Sequence, residues 1–280
     1  MKLPVVAAIP NYNMGQQLTP FLEQLAAQNY SDIYVLDDAS TDESREAVES
    51  FNSGEGVHFV TSTENRGAGA TRNQIIHALG YDALIHFMDA GVTLDTENAV
   101  EAAQYVAPNT PFGFVGGLAN TPNGQQSVWN YGPHQDIRSD IGAAIQLKLE
   151  PLLTTDPEKA RDIRERFSNL LEGWPFPLDL PKRKRVFWNI EQNLIMSSNI
   201  FKTIGGFDES LREHEIQDLA IRLYKKGLPS WFDPSVSVTH KNEQDVRGYN
   251  RQVAQLKAEL YIARKHGFRN WAIFGTHYRV

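Results

Sequence analysis

IYVLDDASTD, residues Ile33 to Asp42, decides the fold of this chain. Its apolar run, Ile33 to Leu36, ends in Asp37 and Asp38, the pattern of a buried strand that delivers carboxylates at its carboxyl end. ALIHFMDAGVTLD, Ala83 to Asp95, repeats the arrangement, with Asp89 closing the run Ala83 to Met88. Open α/β sheets bind ligands at those strand ends. Carboxylates gathered there without compensating bases suit a hydrated divalent cation, ribose hydroxyls and base N–H groups better than bare phosphate. A nucleotide carried with a metal fits that chemistry.

Outward from these two runs, short apolar segments alternate with amphipathic ones, as in β-α-β units with a mostly parallel sheet. Leu3 to Ile9 reads as a first strand, Gln17 to Gln28 as a helix and Val57 to Val60 as a third strand. Ser40 and Thr41 are placed to cap a helix running to about Phe51, with Asp42 and Glu43 in its first turn. The loop Asn65 to Gly69 leads into a helix over Ala70 to Leu79. Residues 120 to 190 break the rhythm with TPNGQQ, NYGPH and EGWPFPLDLPKRKR, and only Asp156 to Leu171 reads as helical there. Order returns with a strand over Leu194 to Ser197, the turn Gly205-Gly206, a helix from Glu215 to Lys226 and a short strand Val236 to His240. Val246 to Lys265 is a final amphipathic helix, with Val253, Leu256, Leu260 and Ile262 offering apolar contacts.

Composition removes several classes of function. There is no cysteine, which rules out disulfides, thiolate metal sites and cysteine nucleophiles. The 27 lysines and arginines against 34 aspartates and glutamates give a net charge of −7, which argues against a general nucleic-acid surface. No segment approaches the roughly 20 apolar residues that span a bilayer, and MKLPVVAAIPNYN reads as a first strand rather than a cleavable signal. A cytoplasmic protein is expected, with peripheral membrane contact left open.

The motifs carry the chemistry. In IPNYN, Pro10 to Asn13 turn the chain after the first strand, and Tyr12 can lay its ring against a planar base; the plainer reading is a turn with a half-buried tyrosine. Asp37 to Asp42 can accept from a uracil-like N–H and from ribose, or only end a strand and cap a helix. ENRGAGATRN bends at Gly67 and Gly69, then aims a helix start and Arg72 at the crevice, a setting for phosphate oxygens; a surface ion pair is the alternative for Arg72. Trp129, Tyr131, Trp174 and Trp188 offer faces for sugar rings or for a core. KRKR, Lys182 to Arg185, reads as a solvated loop with the capacity to hold a diphosphate, an anionic acceptor or a lipid phosphate.

In this order, IPNYN, LDDASTD, ENRGAGATRN, FMDAGVTLD, GGFDESL, EHEIQDLAIRL and VTHKN resemble the family 2 glycosyltransferases of the GT-A fold. The resemblance implies a Rossmann-like, mostly parallel sheet flanked by helices, in one domain: a donor half over 1–118, an acceptor and catalytic half over 119–240, and a helical extension over 241–280. It implies an inverting hexosyl transfer from a nucleotide diphosphate sugar, UDP-linked by preference, to a hydroxyl on a glycan, lipid-linked or protein-linked acceptor. The donor set would be Pro10, Tyr12, Asn13, Asp37, Asp38, Asn65, Gly67, Arg72, Asp89 and Ala90, with Tyr12 on the base and Asp38 on base or ribose. Gly205, Gly206 and Phe207 would lie beside the acceptor.

Two departures from the family pattern matter. The Asp-X-Asp that usually binds Mn²⁺ or Mg²⁺ is here Asp89-Ala90-Gly91, so one ligand is missing; His240 matches the family's downstream histidine, and Asp95 is a substitute donor. The Glu-Asp that supplies the general base is here Glu215-Ile216, which leaves Glu215 or Asp218 as the base, ahead of His214. Glu215 is the preferred one. Two other readings stay open: a binding protein on the same scaffold with impaired catalysis, and a nucleotidyltransferase. The absence of a basic, glycine-rich triphosphate loop near the first strand weighs against the latter.

Overall fold

Apolar strands that alternate with one-sided helices in the amino-terminal half form the parallel half of a central sheet. The structure, a computed structural model, describes residues 2–51, 56–134, 136–240 and 248–267. The chain runs β1 (Val5–Asn11), α1 (Gly15–Ala26), β2 (Asp32–Asp37), α2 (Ser44–Phe51), β3 (Val57–Thr61), α3 (Ala68–Asn73), α4 (Ile75–Ala78) and β4 (Leu84–Met88). It continues through β5 (Val92–Leu94), α5 (Ala99–Val106), β6 (Val115–Asn120), β7 (Tyr131–Gly132), α6 (Ile137–Leu149), α7 (Leu152–Thr155), α8 (Pro157–Arg166) and α9 (Ser168–Leu171). The last part holds β8 (Lys184–Arg185), β9 (Trp188–Asn189), β10 (Asn193–Ser197), α10 (Ser198–Ile204), α11 (Glu215–Lys225), β11 (Trp231–His240) and α12 (Gly248–His266).

The central sheet has the order β3-β2-β1-β4-β10-β6-β11-β5, with β8 on β11. Pairs β3-β2, β2-β1 and β1-β4 are parallel. Strand β10 then inserts antiparallel beside β4, with Asn193 opposite Met88. That insertion brings the turn before β10 to the end of the sheet where β1, β2 and β4 deliver their polar residues. A small second sheet pairs β7 with β9.

Packing follows the apolar pattern. Helix α1 buries Leu18, Phe21, Leu22 and Leu25 against Ile9, Ile33 and Val35, at about 1.5–3 kcal/mol for each large side chain removed from water. On the other face Phe87, Phe201 and Phe207 meet edge to face, Phe87 and Phe201 with centroids 5.2 Å apart. His86, in the middle of β4, is fully buried and joins Tyr30 Oη (2.8 Å) to Asn193 Oδ1 (2.9 Å). Burial drives its pKa down to about 4, so this bridge is built on a neutral imidazole.

Several local expectations are corrected. Helix α2 starts at Ser44, and Asp42, rather than Ser40 or Thr41, accepts its first amide (Ser44 N, 3.1 Å). The helix expected over Ala70 to Leu79 is two pieces that meet at Gln74. The strand expected at Val236 starts at Trp231, with an irregularity between Asp233 and Ser237 around Pro234. Helix α6 carries no apolar stripe in its sequence, because its buried positions are Ser139, Gly142, Gln146 and a single leucine, Leu149. Gly142 is required there, since a Cβ would stand 2.6 Å from Trp174 Nε1.

The aromatic residues of the irregular region belong to the core rather than to an open sugar platform. Tyr131, Trp174 and Trp188 are buried, and Trp174 meets Trp129 and Trp188 edge to face at 5.6 and 5.8 Å. The KRKR run is exposed, and only its second half is ordered as a strand: Lys184 and Arg185 form β8, while Arg183 Nη1 pairs with Asp233 Oδ2 at 2.7 Å. On α12, Ala258, Ile262 and Ala263 are the buried positions, whereas Leu256 and Leu260 are exposed. Val246, Arg247, Lys241, Asn242 and the final NWAIFGTHYRV lie outside the described residues. No helix among the described residues is long and apolar enough to cross a membrane.

Candidate active site

The carboxyl ends of β1, β2 and β4 meet in one crevice, and their polar residues first organise the loops around it. Asp37 accepts from Asn11 Nδ2 (2.8 Å) and Ser40 Oγ (2.5 Å) on one oxygen, and from Ser40 N (3.0 Å) and Thr61 Oγ1 (2.8 Å) on the other. Four donors occupy this buried carboxylate, which thereby fixes the turn after β2. Asn13, at φ 54, closes the same turn from the β1 side: its N–H donates to Ser40 Oγ and its Oδ1 accepts from Thr41 N. Tyr12 stands beside it with 49% of its surface exposed, on the rim of the crevice, while Pro10 remains in β1 opposite Leu36.

Asp38 spans from β2 to the glycine loop, accepting from Arg66 N at 2.7 Å and Gly67 N at 2.8 Å. Gly67 adopts φ 88, and a Cβ there would collide with Arg212 Nη1 at 2.5 Å. Arg212 in turn donates to Asn65 Oδ1 (3.1 Å) and to its carbonyl (3.2 Å). The loop is therefore clamped from both sides. Asn73 ties α3 to the turn after α10, donating to Phe207 O (2.9 Å) and accepting from Phe207 N (2.8 Å). Gly205 and Gly206, both left-handed, make that turn, and Phe207 is buried beneath Arg72, 5.8 Å from ring centroid to guanidinium.

Arg72 is the electrostatic centre. It is 4% exposed and donates from Nη2 to Asp89 Oδ1 at 2.6 Å, while its Nε is buried without a hydrogen-bond partner. Burial by itself would weaken its hold on the proton, but the carboxylates of Asp89, Glu191 and Glu215 outweigh it and raise its pKa. Glu215, the first residue of α11, is 7% exposed and packs its Cγ against the backbone at Gly69. Glu191, in the turn between β9 and β10, is partly buried. Burial, then repulsion from Glu215 and Asp89 against attraction by Arg72, pushes its carboxyl up to about 7. No motif pointed to Glu191; its only trace in sequence is an acid placed just before an apolar strand.

Asp218 is elsewhere. Its fully buried carboxylate meets Arg222 Nε, Lys265 Nζ and His266 Nε2, each at 2.7 Å, and so locks the end of α12 onto α11. Burial would raise its pKa, but those three partners hold it far below the ordinary carboxylate range. His214 sits before α11 at φ 62, with Nε2 3.5 Å from Glu259.

The metal expectation meets an incomplete donor set. Gly91 has no side chain, Ala90 is buried, and Asp89 already holds Arg72 on Oδ1. His240 lies opposite Val92 in the β11-β5 pair, three residues beyond Asp89 in register. Asp95 is taken by Thr239 Oγ1 and Asn120 Nδ2. Among the described residues no group of three or more histidine, cysteine, aspartate or glutamate side chains could hold a metal ion. The described residues do not supply a full donor set for a protein-held divalent cation.

The parallel half-sheet, the inserted antiparallel β10 and the acidic crevice at the strand ends form the GT-A fold of glycosyltransferases, and solved structures of that class match it. A mannosyltransferase from Pyrobaculum calidifontis, in complex with GDP-Man and Mn²⁺, is 16% identical, aligns over 95% of this chain and 66% of its own, with a TM-score of 0.60. GalNAc-T7 with UDP, GalNAc and Mn²⁺ is 12% identical over 94% of this chain and 48% of its own, with a TM-score of 0.66. The 1–349 fragment of S. aureus TarS in complex with UDP is 16% identical over 98% of this chain and 68% of its own, with a TM-score of 0.60. The chain thus spans 66% and 48% of the lengths of the first two. No curated protein sequence matches it. The family model for glycosyl transferase family 2 matches residues 6–161, more than half of the 280-residue chain. The chain belongs to glycosyl transferase family 2.

Proposed function

We propose that the protein is an inverting glycosyltransferase that moves a hexose from a nucleotide diphosphate sugar, with UDP the favoured nucleotide, to a hydroxyl of a glycan, lipid-linked or protein-linked acceptor. The observation that carries this reading is the burial of Arg72 among Asp89, Glu191 and Glu215 where β4 ends. Family membership and the solved relatives, whose complexes hold GDP-Man, UDP or UDP-GlcNAc, support a nucleotide-sugar donor.

Within that reading Tyr12 stacks on the base from the rim. Asp37 and Asp38 act by holding the loops at Ser40 and at Asn65 to Gly67 in the shape that receives base and ribose, since their oxygens already accept from those loops. Asp89, oriented by Arg72, faces the sugar and diphosphate beside Ala90. Gly205, Gly206 and Phe207 shape the acceptor side through Asn73. Inversion needs the acceptor oxygen to attack the anomeric carbon opposite the departing diphosphate, with a carboxylate taking its proton. Of the two acids on α11, Asp218 is consumed by Arg222, Lys265 and His266, and Glu215 is packed on Gly69 beside Arg72. Asp89 and His240 by themselves do not complete a donor set for the Mn²⁺ or Mg²⁺ expected from the resemblance, and no step is assigned to it.

A second reading is favoured by Ile216, buried where the family's base stands, and by Gly91: a nucleotide-sugar-binding protein without turnover. Incubation with UDP-, GDP- and dTDP-linked sugars, with and without Mn²⁺, separates the two. Release of nucleoside diphosphate supports transfer. Tight binding of UDP with no release from any donor supports the binding protein.

A further inference from the structure

A family 2 transferase with isoleucine at the position of its base needs another proton acceptor, and the structure narrows the choice. Ile216 is apolar and 2% exposed within the core. Asp218 is taken up by Arg222 of its own helix and by Lys265 and His266 of α12. Glu215 is 7% exposed, turned onto Gly69 and close enough to Arg72 to add to its stabilisation. Glu191, in the turn before β10, interacts electrostatically with the same cluster and keeps part of its surface open.

Its mounting is rigid. Ile190 N donates to Asn130 O at 3.0 Å on one side of Glu191. On the other side Asn193 Nδ2 donates to Leu118 O (3.0 Å) and Val236 O (3.1 Å), and its Oδ1 meets His86 Nε2 at 2.9 Å. The pairing of Asn193 with Met88 puts this turn next to Asp89. Catalytic carboxylates are held in this way by residues whose own conformations are locked.

We propose that Glu191 is the carboxylate that takes the acceptor's hydroxyl proton, in the role that Ile216 leaves unfilled, while Glu215 holds Arg72 in place. The proposal rests on the transfer reading above. In the step, the acceptor O–H bond breaks and its proton moves to a Glu191 oxygen as the acceptor oxygen bonds to the anomeric carbon. The bond from that carbon to the diphosphate oxygen breaks at the same time, and its electron pair leaves on the nucleoside diphosphate. The groups that face Glu191 are Arg72 from α3, Glu215 from α11 and Asp89 from the end of β4.

The test compares Glu191→Gln, Glu191→Ala and Glu215→Gln in the full chain, using the donor identified from the sugar panel and UDP as the binding probe. Glu191→Gln is expected to lower turnover by at least about 100-fold while UDP affinity stays within about threefold of wild type, a shift below roughly 0.7 kcal/mol. Formate added to Glu191→Ala should restore part of the turnover, because it supplies the missing carboxylate. Turnover of Glu191→Gln near the wild-type rate overturns the proposal, as does parallel loss of turnover and UDP binding, the mark of a structural role. Should the Gln variant not fold, absence of formate rescue in Glu191→Ala overturns it. Wild type that binds UDP but releases nucleotide from no donor defeats the transfer reading itself, and the base assignment with it.

Discussion

Arg72 donates from Nη2 to Asp89 Oδ1 at 2.6 Å, and the two side chains differ sharply in exposure, 5% for Arg72 against 36% for Asp89. The pair thus has a buried foot and an open head: the guanidinium is fixed beneath the crevice, and the carboxylate it orients faces into it. Arg72→Met should lower the free energy of unfolding by about 3 kcal/mol, because it leaves the buried Glu215 without its cation. Asp89→Asn, at the open end, should cost less than about 1 kcal/mol yet abolish donor turnover. Urea denaturation of both variants checks the asymmetry, and equal losses would contradict it.

Gly91→Asp rebuilds the Asp-X-Asp triplet. Gly91 is not in the left-handed region, and a Cβ there would lie 3.4 Å from Met14 Cε, the end of a flexible side chain. The variant should therefore fold as wild type does. UDP affinity measured by calorimetry should become strongly Mn²⁺-dependent, with a gain of about tenfold or 1.4 kcal/mol on adding the ion, whereas wild type should gain less. Equal Mn²⁺ dependence in both proteins would mean that the missing carboxylate is already replaced.

Asp218→Asn tests whether this acid serves chemistry or architecture. Two of its three partners, Lys265 and His266, join α11 to α12, so the substitution should destabilise the protein by about 3–5 kcal/mol while the folded fraction still binds UDP. The sign of its pH dependence follows from its lowered pKa. The contribution is fully present above the unfolded value of about 4 and is lost as pH falls through and below it. Loss of turnover without loss of stability would instead make Asp218 catalytic.

His86 gives a second acid-sensitive point at higher pH. Its folded pKa is lowered from 6.5 to about 4, so between those values the unfolded chain binds the extra proton and stability declines as pH falls. The loss should begin near pH 6.5, end near pH 4 and reach about 3 kcal/mol. His86→Gln, which keeps a side chain able to meet Asn193, should flatten that part of the profile in thermal melts recorded at stepped pH.

Much of this was legible in the chain because period and chemistry agree in the donor half. The runs ending at Asp37 and Asp89 are strands β2 and β4, and Gly67 does bend the chain, whereas Gly69 already belongs to helix α3. What the residues could not show is how their side chains are spent. Asp37 and Asp38 look like free ligands in LDDASTD, but their oxygens hold Ser40, Thr61, Arg66 and Gly67. Helix α6 escaped because small and polar residues line its buried face, and Glu191 escaped because only the antiparallel insertion of β10 beside β4 carries it to the crevice. Each of these depends on long-range pairing that local pattern does not encode.

The strand-end crevice is the proposed seat of a nucleotide sugar. Diffraction from crystals soaked with UDP decides whether it is. The base should lie against Tyr12, the ribose should sit at the loops held by Asp37 and Asp38, and the diphosphate should lie beside Asp89 and Arg72. UDP seated away from those residues, or no UDP at a concentration that saturates a micromolar site, would contradict it.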